Sequence, residues 1–391
     1  MSALITTANS PKALVSTRSL GKKDVEVSTA DKQRYALSSL SRYSKHFYLY
    51  PSPKNAPIKF IRSLTSLVKK YKHDVLIPVH SEDTYLIAKY KSRLDPFIKV
   101  PLHDHPTIMA VNNKGSLIQV ADDLGIPVPH THFVEDLNAL HQIVDKIEFP
   151  AVIKLRETSS SIGLSYVYSK EELISKYKET VSKFKLSPPD YPLIQEYVEG
   201  DGYGVSLLFN QGDLRAKFTH KRLREYPISG GPSSCRISVK HSKMEYLAIK
   251  LLKNFNWHGV AMVEFKMGRD NKPILMEVNP RFWGSLNQAV QSGVDFPNIL
   301  YTMALDGDVK PVLDYKVGIK TKNILIDYVA ILRSIQELNN NNNNNNSKLL
   351  REFVQLPFND DVLSLKDPLP ILGFIRTGTK EILYSKYKNN V

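Results

Sequence analysis

Apolar and polar positions in the first hundred residues switch between a period of two and a period near 3.6. Ala3–Thr7 reads as a short apolar strand, Pro11–Leu20 as a helix stopped by Gly21, and Val25–Thr29 as a second strand. The aromatic stretch Phe47–Tyr50 comes next, then a helix over Pro57–Lys72 and a buried strand over Asp74–Val79. Strands alternating with helices predict a small parallel α/β layer over residues 1–105. The first strand-to-helix turn, Thr6-Thr7-Ala8-Asn9-Ser10-Pro11, contains no glycine, so its backbone is not prepared to approach a pyrophosphate. Asp31 then reads as a turn residue at a strand end, and the layer as Rossmann-like without NAD.

The pattern changes at Pro106, which suits the first turn of a helix predicted to run to about Leu124 and stop at Gly125, with Pro127 and Pro129 beyond it. Pro150–Leu155 and Pro192–Val198 read as strands, and Ser169 with Glu172 forms a capping box opening a helix over Lys170–Phe184. Strands follow at Tyr203–Phe209, Leu214–His220, Val260–Met267 and Pro273–Val278, with a helix over Ser242–Phe255. This is an α+β arrangement over residues 106–309, with a small lobe at about 125–200 and a large lobe at about 201–309. Residues 310–391 predict a helical extension. Ile324–Leu338 reads as a helix, the asparagine tract 339–346 has nothing to bury and is expected to be a disordered insertion, and Leu349–Val391 resumes an amphipathic helical pattern broken at Pro368–Pro370. The basic stretch Ile375–Lys388 reads as a packed cap, with contact to a membrane or partner as the other reading.

Acidic residues inside apolar strands are the first chemical signal. Glu277 and Asn279 lie two apart and share a strand face, and Glu264 joins them if the two strands pair as a hairpin across Met267–Lys272. Three oxygen-bearing side chains on one face suit a hard cation of the magnesium type, and Arg281 one step on suits a phosphate or acyl-phosphate. The alternative is a half-exposed hairpin with a solvated polar face. Lys154 sits within the apolar strand Phe149–Leu155, an expensive place for an ammonium unless it meets an anion. The turn Thr158-Ser159-Ser160-Ser161-Ile162-Gly163 follows it and offers hydroxyls and amides to phosphates. Leu193–Val198 and the turn Glu199–Gly202 form a strand and hinge able to read a purine edge. The basic segment Arg222–Arg236, with Arg222, Arg224, Gly231 and Arg236, suits a carboxylate-bearing substrate, or else is a basic loop in water. His220 has a structural reading as good as a chemical one.

Charge and composition narrow the partners. The net charge is +14, which favours anionic ligands, but the lysines are scattered from Lys22 to Lys388 and read mainly as a solvated surface. No finger, RNP or helix-turn-helix pattern points to nucleic acid. One cysteine, Cys235, excludes an internal disulfide framework and fits a reducing cytosol. The opening apolar stretch Ala3–Ile5 is too short for a secretory signal and no apolar run is long enough to span a bilayer, so a soluble cytoplasmic protein without stable membrane insertion is expected.

In this order the segments resemble the ATP-grasp superfamily, in its carboxylate–amine ligase or carbamoyl-phosphate-synthetase-like branch. The likeness extends over most of the chain and includes the Gly125–Pro129 start and the closing pair of acidic strands. It implies two lobes gripping ATP behind a Rossmann-like pre-ATP-grasp domain. By resemblance, Lys114 and Lys154 would contact the phosphates or adenine, and the loop Ser159, Ser160, Ser161 to Gly163 would close over the phosphates. Glu196 and Val198, with Tyr197 between them, would hold the adenine. Glu264, Glu277 and Asn279 would bind magnesium (or manganese), and Arg281 with Lys154 would act on the transferred phosphoryl group. Many relatives carry a glycine-rich loop where this chain is serine-rich, and a ribose glutamate where it offers Asp201 and Tyr203. The implied activity joins a small carboxylate to an amine through an acyl-phosphate, releasing ADP and phosphate, and dimers are frequent in the superfamily. An ATP-dependent kinase or carboxylating enzyme, or a non-catalytic nucleotide-binding regulator, are the other readings.

Overall fold

Three sheets are formed among the described residues, and the strands of each follow local rules. The computed structural model describes residues 1–158, 162–226, 231–268, 270–340 and 359–376. It opens with β1 (Ser2–Ile5), α1 (Pro11–Gly21), β2 (Glu26–Asp31), β3 (Ser44–Leu49), α2 (Pro57–Tyr71), β4 (Val75–Ile77), α3 (Ser81–Lys89) and α4 (Lys91–Leu94). The strands are parallel in the order β3-β2-β1-β4. Pro11 occupies the first turn of α1, and Ser10 caps it by accepting from the Lys12 amide. Ala3 and Ile5 enter one apolar cluster and Leu4 another, so β1 is buried on both faces, as parallel sheets are. β3 has no such apolar alternation because it is a sheet edge carrying Lys45 and His46, which explains why its pattern does not announce a strand.

One continuous helix was expected from Pro106 to about Leu124, but there are two, α5 (His105–Asn112) and α6 (Lys114–Asp123). Asn113 breaks the run because its backbone is extended and its side chain accepts from the Gly115 and Ser116 amides, capping α6. Beyond them come β5 (Thr131–Phe133), α7 (Leu137–Ile143), β6 (Ala151–Lys154), β7 (Ser165–Val167), α8 (Lys170–Phe184) and β8 (Leu193–Glu196). These strands form an antiparallel sheet in the order β5-β8-β6-β7 with its own core, in which Ala151, Ile153, Leu173, Tyr177 and Ile194 meet. Ser169 caps α8 as its spacing predicts.

The third sheet is antiparallel, in the order β13-β12-β9-β10-β11-β14. Its elements are β9 (Gly202–Asn210), β10 (Asp213–Glu225), β11 (Ser233–Ser238), α9 (Ser242–Asn254), β12 (Gly259–Met267), β13 (Pro273–Asn279), α10 (Leu286–Gln291), α11 (Phe296–Asp306), β14 (Lys320–Lys322) and α12 (Ile324–Asn340). Val205, Leu207 and Phe209 of β9 share a cluster with Leu4, Leu76 and α2, so the parallel layer and the large sheet are packed as neighbours. No helix among the described residues is long and apolar enough to cross a membrane.

Two further expectations are corrected. Arg222 and Arg224 do not lie on a substrate loop but on β10, which runs on to Glu225, and Arg236 lies on β11. The strands persist because distant carboxylates neutralise these cations, Asp327 for Arg224 and Asp361 for Arg236. Residues 359–369 are turns and bends where helix was expected, with helix only at 370–376. Asp360 accepts from the Ile324 and Val362 amides, and Asp367 accepts from Arg18, Ser41 and the Arg42 amide, contacts that compete with a helical backbone. Asn339 and Asn340 end α12, whereas 341–346 of the asparagine tract and 377–388 of the basic stretch lie outside the described residues.

Candidate active site

A cleft of about 410 Å³ lies between the four-stranded antiparallel sheet and the six-stranded sheet, and the parallel layer closes its third side. Its floor is the β12–β13 hairpin. Glu264 pairs directly with Glu277 in register, and Met262 with Asn279. Val263, Phe265 and Val278 turn into the core, so the three polar residues that alternate with them face the cleft. The Asn279 amide nitrogen donates to Glu264 Oε1 at 2.8 Å and to Glu277 Oε1 at 3.3 Å. Arg222 reaches across from β10 to Glu264 and also donates to Glu225 at 3.1 Å. Lys114, the first residue of α6, places its Nζ 3.1 Å from Glu277 Oε2 and donates to the Thr158 carbonyl at 2.8 Å.

The two carboxylates are pushed apart electrostatically. Burial raises the Glu264 carboxyl, against the opposing Arg222 charge. Burial works the same way on Glu277, but the Lys114 charge and hydrogen bond, with Lys154, outweigh it and hold that carboxyl below its ordinary value. The two carboxylates are hard oxygen donors of the kind magnesium takes, whereas Asn279 turns its amide nitrogen to them and its Oδ1 to Arg281, so it would offer an oxygen to the ion only with its amide group reversed. No group of three or more histidine, cysteine, aspartate or glutamate side chains is placed to hold a metal among the described residues, so any cation here depends on Asn279 and on the ligand it would accompany.

Lys154 forms the opposite wall. Ala151 and Ile153 point into the lobe core, so Val152 and Lys154 point into the cleft. Burial pulls the Lys154 ammonium down to about 8, with Glu277 opposing and Lys114 adding to the fall. At the hinge, Glu196, Tyr197 and Val198 also line the cleft. The Glu196 and Tyr197 amides are engaged by the carbonyls of His130 (2.9 Å) and Pro150 (3.2 Å), which fixes the hinge to the lobe. Lys266 donates to the Val198 carbonyl at 2.9 Å and lies 5.3 Å from the Tyr197 ring centroid, tying the hinge to β12. Gly163 has φ +70 beside the cleft, while Ser159, Ser160 and Ser161 lie outside the described residues.

Arg281 joins the hairpin to the parallel layer. It donates to Asn279 Oδ1 at 2.6 Å, to the Phe282 carbonyl at 2.8 Å and to Ser81 Oγ at 2.7 Å. Ser10, Lys12 and His80 from the parallel layer face the same cleft.

Not every expected residue arrives here. Gly231 lines the cleft, but Asp201 forms an ion pair with Lys221 at 2.5 Å and borders the adjoining groove. Arg224 borders that groove too, and Arg236 is buried against Asp361. Lys12, His80, Glu225, His220 and Lys266 line the cleft without having been singled out, apart from the open reading of His220. Lys266 carries a legible signal, since it lies two residues after Glu264 on the same strand. Lys12 and His80 carry none, because only chain packing brings them to the hairpin. Burial drives the His220 imidazole well below its ordinary value, and Nε2 lies 3.2 Å from Ser285 Oγ, which favours its structural reading.

A family model described as ATP-grasp in the biosynthetic pathway with Ter operon matches residues 189–324. The chain is 24% identical over 225 residues to the carbamoyl phosphate synthase large chain of Pyrococcus furiosus, a match covering 56% of this chain and 20% of that one. It is also 24% identical over 181 residues to a D-alanine–D-alanine ligase of Christiangramia forsetii, covering 43% and 53%. These matches span between a fifth and about half of the relatives' lengths. Among solved structures, the biotin carboxylase domain dimer of Hydrogenobacter thermophilus 2-oxoglutarate carboxylase, in complex with MgADP, ADP and bicarbonate, aligns with TM-score 0.66 and 15% identity. That alignment covers 82% of this chain and 73% of the other, and shows a shared fold.

Proposed function

The chain belongs to the ATP-grasp superfamily, and from that premise we propose that it is an ATP- and magnesium-dependent ligase activating a carboxylate for attack by an amine. The reading rests on one observation: Glu264 and Glu277, bridged by Asn279, share a cleft with the unusually acidic Lys154 ammonium and with Arg281. A carboxylate and a triphosphate repel each other, so joining them requires fixed positive charge where water is scarce. Lys154 and Lys114 supply that charge to the phosphates, and Glu196 to Val198 border the adenine. Arg281, held on three sides, orients the carboxylate at the γ-phosphate. Magnesium, held by Glu264, Glu277 and Asn279, would neutralise the phosphate oxygens. The carboxylate oxygen bonds to the γ-phosphorus as the bond to ADP breaks, and the amine then bonds to the acyl carbon, loses a proton and displaces phosphate.

We place the parallel layer at 1–105, the nucleotide-binding unit at 106–309 and the extension at 310–391, with a cytoplasmic setting and an assembly that includes homodimers. Carboxylation with bicarbonate is the second reading, favoured by the likeness to a carboxylase domain holding MgADP and bicarbonate. The test is ADP release by the purified chain against pools of carboxylates, bicarbonate and amines, with and without magnesium. Release that needs both magnesium and an organic acid supports the ligase, and release with bicarbonate alone moves the assignment to carboxylation. Absence of nucleotide binding by calorimetry refutes both.

A further inference from the structure

Lys12 sits in the first turn of α1, is only 9% exposed and lines the cleft, yet its ammonium has no hydrogen-bond or ion-pair partner among the described residues. A buried ammonium normally demands an anion. Asp83, the carboxylate whose charge acts on Lys12, is already engaged by Thr6, by Thr7 Oγ1 at 2.8 Å and by the His80 and Thr84 amides at 3.0 Å. Arg281 is close enough to act on Lys12 as a second cation, and burial plus that charge drive the Lys12 ammonium well below its ordinary value. His80 adds no charge: burial first, then Lys12 and Arg281, hold its imidazole at about 3. The positive end of the eleven-residue α1 faces the same space.

The preceding turn shows what this place does not hold. The amides of Thr6, Thr7, Ala8, Asn9 and Ser10 are engaged by Ile77 O, Tyr50 Oη, Ala30 O, Asp31 Oδ2 and Thr7 O respectively. No backbone cradle is left there for a pyrophosphate. What is available is one long cation without a direct partner among the described residues, beside a helix start and suited to a single small anionic group.

We propose that Lys12, the start of α1 and His80 form a subsite for a second anionic group of the acid substrate, so that the acid is dianionic: one carboxylate at Arg281 and a carboxylate or phosphate at Lys12. This rests on the ligase reading for the word substrate, whereas the anion site itself can be tested without it. Inorganic phosphate and succinate are titrated calorimetrically into the whole chain, with and without magnesium and a non-hydrolysable ATP analogue. The comparison covers the natural chain, Lys12→Met and Lys12→Arg. The natural chain should bind at least one probe, Lys12→Met should weaken it about 10-fold or more, and Lys12→Arg should stay within about 3-fold, since a charge-assisted contact is lost in the first and kept in the second. Affinity for the analogue should change less than about 2-fold. Phosphate binding without succinate binding assigns a phosphorylated acid, and the reverse a dicarboxylic acid. If neither probe binds the natural chain, or Lys12→Met binds equally well, the subsite is overturned. Failure of the analogue to bind overturns the ligase reading instead, and the titrations without nucleotide still decide the subsite. Thermal melting identifies a variant that has not folded; if Lys12→Met is that variant, Lys12→Gln carries the comparison at the same pH, and probe binding by the folded Lys12→Gln chain equal to that of the natural chain overturns the subsite.

Discussion

Lys154→Met separates what stabilises the chain from what equips it. The Lys154 ammonium titrates at about 8 in the folded chain against an ordinary 10.5. The unfolded chain therefore holds more protons between these values, so stability rises with pH from about 8 to 10.5, and the penalty is complete below about 8. The gap corresponds to a ceiling of about 3 kcal/mol. Solvent reaching the half-buried tip reduces this to roughly 1–2 kcal/mol. Methionine keeps the length and removes the charge, so at pH 7 the variant without nucleotide should melt higher, by roughly 2–4 °C for each kcal/mol. Its affinity for MgATP should fall about 10- to 100-fold, because a charge-assisted contact contributes about 1.5–3 kcal/mol. Calorimetry at pH 8 in buffers of different ionisation enthalpy adds a third readout. The natural chain should take up about half a proton on binding ATP, and the variant close to none. A variant that melts lower and binds ATP as before would refute the reasoning.

Glu277→Gln keeps the shape of the hairpin but removes the charge facing Lys114, so magnesium-dependent ADP release should fall about 100-fold or more while circular dichroism stays unchanged; full activity would remove the metal argument. Gly200→Ala asks whether the hinge is rigid: Gly200 has φ +140, and a Cβ there would overlap the Met267 carbonyl oxygen. Urea denaturation should show a loss of about 1–3 kcal/mol together with weaker ATP binding, and an unchanged midpoint would contradict the close approach. Asp367→Ala leaves Arg18, Ser41 and the Arg42 amide without their shared acceptor, and should cost about 3–5 kcal/mol by urea denaturation. A loss below about 1 kcal/mol would mean that solvent replaces the carboxylate.

Much of the architecture is written in periodicity. The two-residue repeat of β12 and β13 sets Glu264, Glu277 and Asn279 against Val263, Phe265 and Val278, and the lone lysine of β6 stands out against Ala151 and Ile153. The Ser169 cap is likewise local. Where a helix expectation failed, a side chain had taken hold of backbone amides: Asn113 turns onto the nearby α6 amides and divides a helix, and Asp360 binds the nearby Val362 amide and the distant Ile324 amide where a helix was expected.

Charge partners are a different matter. Arg222, Arg224 and Arg236 look alike in a basic segment, yet one faces the Glu264 carboxylate in the cleft and two meet Asp327 and Asp361. Nothing within a few residues of an arginine specifies which distant carboxylate will neutralise it. The same holds for Lys12 and His80, which reach Arg281 only because the parallel layer packs beside the large sheet. From the sequence alone came the strands that carry Lys154, Glu264, Glu277 and Asn279, the face each acid occupies and the expense of a lysine inside an apolar strand, because backbone geometry sets these over a few residues. Tertiary structure decided which cations stand in the cleft, which are neutralised elsewhere and that Lys12 has no ion-pair partner among the described residues, because electrostatic pairing depends on distance in space.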